Sequence, residues 1–119
     1  MNNKLNNIFT PKSGDDIIED CNPFVLNKML ASKIKDYDNN KNVLIEIISN
    51  NSFNSTIALN QIFLEICKYD IVELAQIILD KPGFDPSFDN NLPFRIALNH
   101  TSTNITDILY KHMVTHGYI

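Results

Sequence analysis

At 119 residues, of which 44% are apolar, the chain is long enough for one small domain with a buried core. Ten basic and fourteen acidic residues give a net charge of −4, which argues against a nucleic-acid partner because phosphate binding needs an excess of Lys and Arg. No apolar run approaches the ~20 residues of a membrane span, and residues 1–10 lack the apolar stretch of a secretory signal. We therefore expect a cytoplasmic protein that is not secreted and has no membrane or nucleic-acid partner.

The N-terminal part of the chain predicts an arm followed by a short helix. Residues 1–12 are rich in Asn and show no periodicity, which is typical of a flexible arm. Ser13 begins a Ser-x-x-Asp pattern, and this pattern predicts a helix over 14–21 that ends before a proline. We expect this helix, together with residues 24–37, to cap a helical domain over 13–119.

Apolar residues then recur three and four positions apart, which is the spacing of helices with one buried face. Six such sets follow one another along the chain. They are Phe24, Val25, Met29, Leu30 and Ile34; Val43, Leu44, Ile47 and Ile48; Leu59, Ile62, Phe63, Ile66 and Cys67; Ile71, Val72, Ala75, Ile78 and Leu79; Phe94, Ala97 and Leu98; and Ile105, Ile108, Leu109 and Met113.

Polar and turn-forming residues separate these helices. The predicted breaks are 36–40, 49–55, 68–70, 81–91 and 100–103. Thr103 or Asn104 is the expected N-cap of the last helix. No segment alternates with a period of two for long enough to be a strand, so the sequence predicts an all-α fold built from helix pairs.

The helix pairs repeat along the chain. Residues 44–48 followed by Phe53 superpose on residues 75–79 followed by Phe84, with an offset of 31 residues. A second set of positions, in the last two pairs, superposes with a slightly longer offset. The period is therefore about 31–34 residues, with one helical hairpin and one loop in each unit.

The segment IVELAQIILDKPGFDPSFDNNLPFRIAL, at 71–98, resembles the ankyrin repeat, in particular the divergent repeats of amoebal giant viruses and amoebae. Val72-Glu73-Leu74 is similar to the Val-Glu-Leu-Leu element, and Gly83-Phe84-Asp85 is similar to the Gly-Ala-Asp turn. Residues 92–97 resemble Thr-Pro-Leu-His-x-Ala, with a proline in the first helical turn. Arg95 stands where that pattern has His, and Leu replaces Thr, so we expect a less regular loop than in consensus repeats.

The resemblance covers residues 58–113 and implies a short ankyrin-like solenoid of about three helical hairpins, over 23–56, 57–91 and 92–119, with an N-terminal helical cap. Ankyrin repeats have no family active site. The resemblance therefore implies a protein–protein interaction module, an adaptor or inhibitor, which would act on a host protein in the host cytoplasm if the source is a virus. The Asn-rich composition agrees with an A/T-rich genome of that kind.

The loops carry the candidate contacts for a protein partner: Phe88, Arg95, Phe84 and Phe53. Aromatic residues often dominate binding energy at protein interfaces. Phe53 and Phe84 recur at the repeat offset, however, so filling the gap between adjacent units is the stronger interpretation for these two. Phe88 has no repeat partner and is the better candidate for a contact.

The alternative function is a self-associating structural component, for example of a virus particle. The last helix carries Ile105, Met113 and Tyr118 with few charges, which predicts a partly apolar surface on this helix. A homo-oligomer formed through that surface is the corresponding prediction.

Residues that suggest chemistry have simpler structural interpretations. His112 and His116 have the i, i+4 spacing of a zinc-binding pair, but no acid or cysteine falls at a matching position, so ordinary helix-end histidines are favoured. Cys67 lies on an apolar helix face, which indicates a core thiol. Asp85 and Asp89 belong to a turn-forming segment. We therefore predict no catalytic residue, no metal site, no cofactor and no enzyme activity.

Overall fold

The computed structural model describes residues 23–116, so the arm over 1–12, the helix over 14–21 and Tyr118 lie outside the described residues. Six α-helices and no strand make up this part of the chain, which confirms the all-α prediction. The helices are α1 (Pro23–Lys35), α2 (Tyr37–Ser49), α3 (Thr56–Tyr69), α4 (Val72–Leu79), α5 (Phe88–Asn99) and α6 (Thr103–Thr115). None of these helices is long and apolar enough to cross a bilayer.

The six helices form three hairpins that stack in chain order. α1 packs against α2, α3 against α4, and α5 against α6. Between hairpins, α3 contacts both α1 and α5, while α4 contacts both α2 and α6. Odd-numbered helices therefore form one layer and even-numbered helices the other. This arrangement follows from the apolar stripe on each helix, which is buried only when neighbouring helices cover it.

The core lies between the two layers and runs through all three hairpins. Most of the apolar positions predicted from the helical spacing are buried there, for example Leu44, Phe63 and Ile78. Val25, Val72 and Leu98 are instead exposed, so their predicted place on a buried face is wrong. Each of these residues is adjacent in the sequence to a buried apolar residue. Adjacent residues of a helix lie about 100° apart around its axis, and at that angle the helical spacing does not separate the buried face from the exposed face.

The offset between Phe53 and Phe84 also holds in the backbone of the loops. Phe53 N donates to Asn50 O at 3.0 Å, and Phe84 N donates to Lys81 O at 3.3 Å. Both turns therefore close in the same way, one repeat apart. In the second turn Gly83 has φ 80°, a backbone conformation that residues other than glycine adopt only with strain.

The break between α1 and α2 is shorter than the predicted 36–40, because α2 already begins at Tyr37. Asp36, the residue before this helix, makes no side-chain cap hydrogen bond, and Asn side chains of the first turn bond back to it instead. Asp36 O accepts from Asn40 Nδ2 at 2.8 Å, and Asp36 Oδ1 accepts from Asn39 Nδ2 at 3.0 Å. Because these Asn side chains find acceptors on Asp36, the polar residues that predict a break are accommodated inside the first turn of α2.

The start of α6 is capped by a residue of the preceding hairpin. Asp70 Oδ1 accepts from Ile105 N at 2.8 Å, and Asp70 Oδ2 accepts from Asn104 Nδ2 at 3.0 Å. Asp70 itself has a left-handed backbone, with φ 57°, at the C-terminus of α3. The prediction of Thr103 or Asn104 as the N-cap is wrong, because α6 begins at Thr103 and Ser102 is its N-cap residue. The Ser102 side chain makes no cap hydrogen bond, and the carboxylate of Asp70 binds the first turn instead.

Candidate partner-binding surface

The loops that follow α2 and α4 come together and leave a groove of about 280 Å³ between them. We call this cavity the loop groove. Its wall includes residues of both loops and of the first turns of α3 and α5: Asn54, Leu59, Pro82, Phe84, Asp85 and Phe88. The loops predicted to carry partner contacts therefore border a common concave surface.

Lys81 joins the two loops. Its Nζ donates to Asn50 O at 3.0 Å and lies 5.9 Å from the centroid of the Phe53 ring, within the range of a cation–π contact. Partial burial lowers the pKa of Lys81 below its ordinary value. Phe53 is only 2% exposed beneath this contact, so in this arrangement it fills the core and presents no surface to a partner.

Three aromatic rings connect the core to the loop groove. Phe63 is fully buried, and the Phe84 ring meets it edge to face with a centroid separation of 5.0 Å. Phe88 in turn meets Phe84 edge to face at 6.3 Å. Phe84 and Phe88 are both half-buried. Each ring therefore has a fixed support on one side and some accessible surface on the other.

A left-handed turn lies inside the first part of α5, directly after Phe88 of the loop groove. Asp89, Asn90 and Asn91 have φ values of 52°, 58° and 61°, so the right-handed helix begins only after them, with Pro93 in its first turn as the sequence predicts. Asp and Asn are the residues other than glycine that tolerate this conformation best.

Arg95 holds this left-handed turn in place. Its Nη2 donates to Asp89 O at 2.9 Å and its Nε donates to Asn90 O at 3.2 Å. The side chain is exposed, and it holds the turn that begins directly after Phe88. The structure therefore brings Phe84, Phe88 and Arg95 into one region, while Phe53 lies in the core beneath the adjoining loop.

The acidic residues of the turn are engaged in local hydrogen bonds. Asp85 Oδ1 accepts from Ser87 N at 2.9 Å and from Ser87 Oγ at 2.6 Å, which is ordinary turn chemistry for Asp. Nowhere in residues 23–116 do three or more His, Cys, Asp and Glu side chains come together as a set of metal ligands.

His112 and His116 contact each other near the end of α6. Their rings stack with centroids 4.0 Å apart, and His116 Nδ1 lies 3.0 Å from His112 O. Burial, followed by the nearby His116, lowers the pKa of His112. The pair therefore favours a neutral His112 at physiological pH.

Cys67 lies in the core of the second hairpin. It is fully buried, and burial, followed by the charge of Asp70, raises the pKa of its thiol to about 12. A protonated, inaccessible thiol is a poor nucleophile.

The apolar surface of α6 differs from the predicted one. Ile105 and Met113 are buried in the core, so their predicted exposure is wrong. Tyr110 and Val114 of α6 are exposed instead, together with Leu98 at the end of α5. α6 therefore has apolar residues on two sides. The side with Ile105 and Met113 packs against the rest of the stack, and the side with Tyr110 and Val114 is exposed.

Two residues of this region, Lys81 and Phe63, were not expected to support the candidate contacts. Phe63 is predictable only as a core residue, since no sequence pattern shows which loop residue packs on it. Lys81 follows Asn50 by one repeat offset, 31 residues, and this spacing is the sequence feature that relates the two residues.

Comparison of the chain with protein-family models, with curated proteins and with solved structures found no match.

Proposed function

We propose that this chain is a protein–protein interaction module, an adaptor or inhibitor built from ankyrin-like repeats, and that its partner docks at the loop groove. One observation carries the proposal. Phe84 and Phe88 stand half-buried in a groove between two successive loops, where Phe84 contacts the buried ring of Phe63 and Phe88 contacts Phe84. If the source is a virus, the partner is a host protein.

Aromatic side chains held in this way suit a binding site. Binding costs the conformational entropy of every side chain that must be ordered in the interface. Phe84 and Phe88 are already restrained by edge-to-face contacts, so little further ordering is needed. Aromatic rings supported in this way are typical of the few residues that dominate binding energy.

Arg95 does not line the loop groove, but it bonds to the turn directly after Phe88 and there supplies the polar part of the proposed site. A guanidinium group carries five N–H donors, and the two hydrogen bonds to the left-handed turn use Nε and Nη2. Because the side chain is exposed, it can also donate to a carboxylate or backbone carbonyl of the partner. The preferred partner segment is therefore apolar with a neighbouring acceptor.

Affinity capture from cells of the native source tests the proposal, with the intact chain as bait and Phe88→Ala and Arg95→Ala as variants. Tyr69→Ala is the matched control, because Tyr69 is an exposed aromatic residue at the opposite end of α3 from the loop groove. Thermal unfolding establishes that each bait is folded.

The wild-type chain and the Tyr69 variant are expected to capture the same protein. Its affinity, measured by calorimetry, should fall about tenfold or more for Phe88→Ala and for Arg95→Ala. Equal capture by all four baits would show that the loop groove is not the binding surface.

A further inference from the structure

The third hairpin, α5 and α6, exposes apolar positions whose equivalents in the second hairpin are buried. At the repeat offset that relates Phe53 to Phe84, Leu98 corresponds to Cys67, and Tyr110 corresponds to Leu79. Cys67 is fully buried and Leu79 is 7% exposed, whereas Leu98 is 53% exposed and Tyr110 is 54% exposed. The difference has a simple origin. α3 and α4 each contact a helix of the following hairpin, and within the described residues no hairpin follows α6.

Backbone geometry supports this equivalence, so the longer offset that the sequence predicts for the last two helix pairs is wrong: α4 begins at Val72 and α6 at Thr103, which is the same offset as from Phe53 to Phe84. Asp70 and Thr101 close the turns inside the second and third hairpins at this same offset, and both have left-handed backbones, with φ 57° and 54°. Phe63 and Phe94 are related in the same way, and again the earlier residue is fully buried while the later one is half-buried. The exposed side of the third hairpin is therefore a stacking face of the same type as the one that is covered within the chain.

This face contains a groove of about 480 Å³ between α5 and α6, which we call the end groove. Its wall is formed by Phe94, Leu98, Thr103, Thr106, Asp107 and Tyr110. It shares no lining residue with the loop groove. The end groove and the loop groove are therefore separate surfaces, and a substitution in one leaves the lining of the other unchanged.

We infer that the end groove is the interface of a homodimer, in which two copies of the chain stack their third hairpins face to face about a two-fold axis. A hairpin of this same chain covers the equivalent face of the second hairpin, which favours a second copy of the chain as the occupant. In a stack of hairpins, a unit whose stacking face is apolar has that face buried only when another unit is added.

Charge and polarity favour a two-fold arrangement over head-to-tail stacking. In α1, the first of the described helices, the exposed side chains after Val25 include Ser32 and Lys35, and a charged side chain is costly to bury against an apolar groove. At the edge of the end groove, Asp107 forms an ion pair with Lys111 at 3.0 Å. Two copies of this neutral edge meet without like-charge repulsion, and pairing a face with itself closes the assembly at two subunits.

Sedimentation equilibrium of the full chain, from about 1 µM to about 1 mM, tests the inference. The expected result is a mass that rises from 13.6 kDa to twice that value and no further. Leu98→Glu and Tyr110→Glu, on different helices of the groove, should each raise the dissociation constant at least about tenfold. Urea unfolding at a concentration where the chain is monomeric should show that neither variant is unfolded.

Val25→Glu is the matched control, since Val25 is 50% exposed and lies at the opposite end of the stack. It should leave the dimer unchanged, and so should Phe88→Ala in the loop groove. Three results would overturn the inference: a monomer over the whole range, a mass beyond two copies, or a dimer that Val25→Glu weakens as much as Leu98→Glu does.

Discussion

The capping of α6 by Asp70 can be tested with three substitutions that separate its two roles. Asp70 accepts hydrogen bonds from Ile105 N and Asn104 Nδ2, and it occupies a left-handed conformation at φ 57°. Asn retains both the acceptor oxygen and the tolerance for this backbone. Gly retains only the backbone tolerance, and Ala retains neither.

The expected costs follow from these roles. Loss of an N-terminal cap costs about 1 kcal/mol of unfolding free energy, and loss of a negative charge at a helix N-terminus costs about 0.5 kcal/mol. A left-handed backbone adds about 1 kcal/mol for Ala. We therefore expect losses of about 0.5 kcal/mol for Asp70→Asn, about 1.5 kcal/mol for Asp70→Gly and about 2.5 kcal/mol for Asp70→Ala.

Urea unfolding followed by far-ultraviolet circular dichroism measures these differences, at a protein concentration where self-association is negligible. For a chain of this size, the Ala variant should also melt about 10 °C lower than the wild type. If Asp70→Asn loses as much as Asp70→Ala, the acceptor oxygen does not cap α6. If Asp70→Gly loses more unfolding free energy than Asp70→Ala, the left-handed backbone at this position does not destabilise the Ala variant.

Three further predictions concern the core and the histidine pair. Phe53→Ala should lower the unfolding free energy by about 3–5 kcal/mol in urea unfolding, because the ring is buried, and a loss below about 1 kcal/mol would contradict that burial. In a Cys21→Ser variant, Cys67 should resist iodoacetamide at about pH 8 until urea is added, since burial raises its pKa to about 12; rapid labelling of the folded protein would refute this. Because the pKa of His112 is lowered in the folded state, the unfolded chain binds more protons once the pH falls below the ordinary histidine value of about 6.5. Stability should therefore be greater at about pH 7.5 than at about pH 5.5, and His112→Asn should reduce that difference in paired unfolding curves; an unchanged difference would contradict the assignment.

Much of the helical core was predictable because a helix face is encoded locally. Leu44 and Ile78 are buried as their spacing predicts, and the repeat offset recurs in the turns that close at Phe53 and Phe84. These features depend on the helical period and on turn-forming residues, both of which act over a few positions. The turn before Phe88 was predictable for the same reason, although α5 begins at Phe88 and the predicted break over 81–91 is therefore too long.

The supports of the candidate site were not predictable in this way. Arg95 reaches the carbonyl oxygens of a left-handed turn, and Phe84 rests on Phe63, although the whole of α4 lies between these two rings in the chain. Asp70 caps α6, although α4 and α5 separate them in the chain. Spacing within one helix carries no information about such contacts. The Arg95 contacts depend on the left-handed turn at the start of α5, and the other two depend on how the helices are packed against one another.

The sequence by itself determined that this chain is helical, which stretches form helices, and that the helix pairs recur with a regular period, because backbone hydrogen bonding and the helical period are local properties. Only the tertiary structure decided which apolar positions are covered. The third hairpin illustrates the difference: Ile105 and Met113 are buried, while Leu98 and Tyr110 on the same hairpin are exposed. All four are apolar and helical, so what separates them is whether a neighbouring hairpin lies against them.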